Sequence, residues 1–162
     1  MPHMKQISLA AVLLMAAAGV AQAGGQEGSI GVGAEVGVSG AGGVSINYDA
    51  GMFHAGGFLA LLDPAGDDNT DFAIGGRFFY HLHSTAQADF GLGGQVGFIS
   101  IDTPGDRGSL LFIEPGFQVR FFPVSNVALS LNAGIVIGAV DADGITIDGQ
   151  LVGGAGFHYY FF

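Results

Sequence analysis

From Gly28 onward, apolar residues alternate with polar residues or glycine. Ile30, Val32, Ala34, Val36 and Val38 stand against Ser29, Gly31, Gly33, Glu35, Gly37 and Ser39. A period of two is the mark of a strand with one face buried, because successive side chains leave opposite faces. The pattern recurs over residues 44–48, 53–61, 72–82, 90–98, 111–121, 127–137 and 151–161. The chain is therefore expected to be all-β, with eight strands. The second face is rich in glycine as well as polar residues, which suits a crowded interior better than a solvated surface.

The segments between the runs differ in kind. Gly51 with its neighbours, Ser84–Gln87 and Pro123–Asn126 read as tight turns, whereas Asp63–Thr70, Ile101–Ser109 and Asp141–Gly149 read as longer loops. Gly40–Gly43 is a short connection that departs from this rule. Tight turns on one rim and longer loops on the other describe an antiparallel up-and-down barrel. Strands of this length suit a tilted crossing of a membrane.

The first 23 residues have a different pattern. Lys5, the apolar run Ile7–Ala18 and the small-x-small site Ala21-Gln22-Ala23 predict a secretory signal peptide, residues 1–23, cleaved after Ala23. The apolar run is too short to span a bilayer as a helix. Residues 24–162 would then form one barrel domain. Cysteine is absent, so no disulfide framework is expected after export. With Lys5 gone, Arg77, Arg107 and Arg120 face 14 acidic residues, a net charge of −11. That balance argues against nucleic acid as a partner. Thirty glycines and a 49% hydrophobic content leave little polar surface to coat a soluble globule. A barrel resolves this, since its outer face is apolar by design.

The chain ends in Gly156-Phe157-His158-Tyr159-Tyr160-Phe161-Phe162. Aromatic rings favour the lipid–water interface, so a closing strand within a membrane has reason to end in them. With the leader and the eight amphipathic runs, this tail resembles the small eight-stranded outer-membrane barrels of Gram-negative bacteria, the OmpA/OmpX type. The resemblance covers the whole mature chain and is architectural. It implies an address in the cell outer membrane, contact with outer-membrane lipids and lipopolysaccharide, and recognition by the barrel-assembly machinery. Phe157, Tyr159, Tyr160, Phe161 and Phe162 would carry the assembly signal. The phase departs from the family pattern, because the cleaner apolar register is Phe157, Tyr159 and Phe161, with His158 and Phe162 on the inward phase. Phe157, Tyr159 and Phe161 are thus expected to face lipid beside the Ile30–Val38 strand.

The inward phase holds the candidate chemistry. Glu35, Arg77, Gln95, Glu114 and Asn132 are expected near mid-height, with Arg77 pairing Glu35 or Glu114, because a buried charge needs a partner. Nearer the tight-turn rim, His54, His81, His83 and His158 are expected with Asp49, Asp89 and Arg120. His81 and His83, two apart on a strand, would share a face at metal-ligand spacing and could also sense pH. Polar packing at the wet end of a barrel explains the same residues. The acidic loops, including Asp141-Ala-Asp143-Gly144, lack the later ligands of a calcium loop.

Eight strands leave an interior that side chains largely fill. The expected role is therefore structural or surface-interacting, as a monomer without a cofactor. The alternatives are a narrow pore for ions or small solutes and a secreted, soluble β-sandwich binding protein. No enzyme is expected. His83-Ser84 are adjacent and point to opposite faces, and Gly91-Leu92-Gly93-Gly94 lies within a strand pattern with no following helix.

Overall fold

The computed structural model describes residues 26–37, 41–62, 71–103, 106–140, 144–146 and 151–161. The leader at residues 1–23, the connections at 63–70 and 147–150, and Phe162 lie outside the described residues. Strands β1 (Ile30–Gly37), β2 (Gly42–Asp49), β3 (Phe53–Leu62), β4 (Asp71–Ser84), β5 (Ala88–Thr103), β6 (Asp106–Val124) and β7 (Val127–Ile135) each pair antiparallel with the next. β7 breaks at Val136 and resumes as β8 (Ile137–Val140), which continues along β6. β9 (Gly144–Thr146) folds back onto β8. β10 (Leu151–Phe161) pairs with β7 on one side and β1 on the other. Counting β7 and β8 as one wall, the sheet closes into an eight-stranded up-and-down barrel. The closure excludes the β-sandwich, which would need two open sheets facing each other.

Three departures from the sequence reading concern β4, β5 and β6. The ladder between β5 and β6 continues to Thr103 opposite Asp106, so most of the expected loop Ile101–Ser109 is strand. Pro123 belongs to β6 instead of a turn, and the turn is Ser125–Asn126. The β6–β7 register shifts between Phe121 and Val124, and such an irregularity admits a residue that has no amide to donate. Third, β4 carries a bulge: His81 pairs with Gly91, yet His83 pairs with Phe90. One residue of β4 is therefore extra, and the alternation beyond it inverts.

Outside, the barrel is apolar. Ile46, Ile74, Phe78, Leu92, Ile113 and Leu131 are all exposed, as are Phe157, Tyr159 and Phe161. Inside, large side chains lie across glycines of neighbouring strands. A Cβ on Gly31 would come within 2.8 Å of the Tyr160 ring, one on Gly97 within 2.7 Å of Phe112, and one on Gly75 within 2.6 Å of Phe58. Eight strands fix the bore, so these rings require neighbours without a side chain. Phe122, Ala128 and Tyr160 form a small apolar cluster near the tight-turn rim.

Candidate functional site: two polar layers inside the barrel

The lower layer is built around Arg120 on β6. Its alternating phase aims it inward, and its side chain is only 2% exposed. Asp49 at the end of β2 and Asp89 at the start of β5 flank it because both close tight turns on the same rim. Arg120 Nη2 donates to Asp89 Oδ2 at 2.7 Å, and Nη1 lies 2.7 Å from Asp49 Oδ2. Nη1 also donates to the Tyr160 hydroxyl at 3.0 Å. Asp49 Oδ1 in turn accepts the amide of Gly51 at 3.0 Å, which ties the charge to the turn. Gly51 holds φ +76°, a conformation that glycine adopts at little cost.

His81 joins this layer. Its Nδ1 donates to the Gly51 carbonyl at 2.7 Å, which leaves Nε2 as the ring's one acceptor, 3.0 Å from Arg120 Nη2 and 2.8 Å from His54 Nδ1. His54 stacks on Phe79, with ring centroids 5.4 Å apart. The expected partnership of His81 with His83 does not form. The bulge puts His83 opposite the outward Phe90, and its side chain is exposed. His158 is also absent from this layer. It sits higher, with Nε2 2.6 Å from Ser45 Oγ and 3.2 Å from Glu35 Oε1. The set His54, His81, His83, His158 and Asp89 is thus divided among three places. Among the described residues, no cluster of three or more His, Asp or Glu is arranged to hold a metal ion.

The upper layer is built around Arg77 on β4. Its guanidinium forms a fork with Glu35 of β1, Nη1 donating to Oε1 at 2.5 Å and Nη2 to Oε2 at 2.6 Å. A planar fork on a carboxylate is the strongest pairing the two side chains can make. The guanidinium carbon lies 5.2 Å from the centroid of Phe58. Glu114, the other carboxylate expected of Arg77, instead accepts from the Gln95 amide at 2.6 Å. Asn132 lines the same part of the bore.

Several members of these layers escape a reading of residue types. Tyr160 reads as part of an aromatic tail, yet it is buried and serves Arg120. Ser45, Asn47 and Gln118 are buried on the inward phase, and their position in the alternation was the available signal. Arg120 stands where its phase and height place it, with Asp49 and Asp89 near the tight-turn rim and apart from Arg77 and Glu35.

No family model matches the sequence, and no curated protein does. Among solved structures, the N-terminal β-barrel domain of OprF from Pseudomonas aeruginosa is similar at a TM-score of 0.62 and 12% identity, over 83% of this chain and 98% of that one. Ail, the attachment invasion locus protein of Yersinia pestis, has a TM-score of 0.45 and 13% identity, over 84% of this chain and 100% of that one. At 12% identity the likeness to the OprF barrel is one of fold.

Proposed function

We propose that this chain is an integral outer-membrane β-barrel, non-enzymatic, with a structural or surface-interaction role and an interior plugged by its own side chains. The observation that carries this reading is the inversion of the barrel: the outward phase is apolar around the wall, while charged residues are buried within. An apolar belt of that extent on a soluble monomer would drive association, whereas in a bilayer it is the required surface. The predicted leader, the aromatic last strand and the likeness in fold to the OprF barrel support the outer membrane as the address. The Arg77–Glu35 and Arg120–Asp49 pairs join strands that are not neighbours, so they cross the bore and support the plug. Lipopolysaccharide and the barrel-assembly machinery are the partners this reading implies.

Membrane fractionation of the full chain tests it. Recovery in outer membranes, with a band that migrates differently before and after boiling, is the expected outcome. A soluble monomer in the periplasm would reject the proposal.

A narrow pore is the second reading, favoured by the stacking of two polar layers along one axis. The lower layer sets two carboxylates on one guanidinium, and the upper layer adds Glu114 to the Arg77–Glu35 pair. A pore through them would therefore favour cations. Planar-bilayer recordings decide between the two, since a cation-selective step supports the pore and silence supports the plug.

A further inference from the structure

Above Arg77 the bore holds a cavity of about 200 Å³. Glu35, Gln95, Glu114 and Asn132 supply its polar lining, and the Phe58 and Phe112 rings stand on its wall with centroids 6.4 Å apart. The two carboxylates are in different situations. Glu35 is matched by the Arg77 fork and approached by His158. Glu114 is 7% exposed, accepts the neutral Gln95 amide and, among the described residues, forms no ion pair, since the Arg77 guanidinium acts on it only from a distance. It lies across Gly134, where a Cβ would come within 2.7 Å of its Cγ, so the chain leaves room for this carboxylate. A buried carboxylate without a countercharge is costly, and a cation brought from outside would offset that cost.

The lining also limits which cation. The excess is one charge, since Arg77 accounts for Glu35. A calcium ion takes six to eight oxygens, more than one carboxylate and two amides supply. Aromatic faces, in contrast, attract organic cations and hold their apolar bodies. Phe58 already presents one face to the Arg77 guanidinium. We propose that this cavity binds a small organic monocation, an ammonium with a compact apolar body, its charge on Glu114 and its body against Phe58 and Phe112. The site requires only the closed barrel and is separate from the question of conduction.

The test uses the full mature chain, refolded in detergent, and titrates it with benzylammonium at low salt and pH 8, where ordinary histidines are neutral. Benzyl alcohol, phenylacetate and calcium serve as matched probes, and binding is followed by calorimetry and by methyl and aromatic NMR shifts. Saturable binding of benzylammonium is expected, with benzyl alcohol weaker by about tenfold or more and phenylacetate silent. E114Q keeps the hydrogen-bonding shape and should weaken benzylammonium by at least about tenfold, leaving benzyl alcohol unchanged. I99W leaves the charges and fills the cavity, so it should remove both probes; Ile99 lines the wall. The boiling-dependent gel shift confirms that each variant is folded. Three results overturn the proposal: no saturable binding by the wild type, equal affinity for the alcohol and the ammonium, or calcium binding tighter than the organic cation. Unchanged benzylammonium affinity in a folded E114Q also overturns it.

Discussion

Arg120 holds its charge at 2% side-chain exposure between Asp49 and Asp89, themselves 1% and 2% exposed. Replacing it by methionine leaves two buried carboxylates without a cation. The expected loss is about 3–5 kcal/mol, measured by urea unfolding of the protein in lipid vesicles. Arg77 provides the contrast: its partner Glu35 keeps 22% side-chain exposure and a share of water, so R77M should cost less in the same assay. The two histidines of His81-Leu82-His83 are likewise unequal. H81A removes an acceptor for Arg120 and a donor to Gly51, and should destabilise by about 1–3 kcal/mol. H83A, on the exposed outward phase, should stay within about 0.5 kcal/mol of wild type.

Strands in this wall are matched by size as well as by hydrogen bonds. Gly31 of β1 faces Tyr160 of β10, and the nearest atoms to an added Cβ all belong to the tyrosine ring. G31A should therefore cost about 1–3 kcal/mol, and much less in a Y160L background whose shorter side chain withdraws. A double-mutant cycle on unfolding free energies measures that coupling. Alternation made the strands themselves legible in the residue order, because a period of two survives any detail of packing. The inversion at His83 was not legible: a bulge arises when one strand slips against its neighbour, and no residue type at 81–83 demands it. Nor was the length of β5 and β6, since Ile101–Ser109 carries the polar residues and proline of a loop although its backbone finds a ladder. Phe112 and Phe122 occupy inward positions as buried rings, contrary to the polar character expected of that phase. Their fit depends on facing residues such as Gly97, which are distant in sequence. The candidate site was legible as a set of inward residues. Its two heights followed from counting along the strands, but the height of His158, which meets Ser45 and Glu35, depends on stagger, which no single strand reveals.

For the molecule as a whole, the decisive property is the sign of its surfaces. Leu131 lies midway along β7 and is 64% exposed, so in water a polar replacement there should cost almost nothing. In a bilayer, L131R should cost about 2–4 kcal/mol, read from folding equilibria in vesicles. A loss near zero would mean that this face does not meet lipid. The seam between β1 and β10 has a separate bearing on time. Every other wall contact joins walls that follow one another along the chain, but this one matches Ile30 with Phe161. No order of events can finish the ring until its last-made strand finds its first, and long-range closure is the slow kind. Until then two unpaired edges stay open to other chains, which is the state in which strands aggregate. The interval between synthesis and closure is thus when this chain is most open to aggregation, and moving the seam by circular permutation would change which strands must wait.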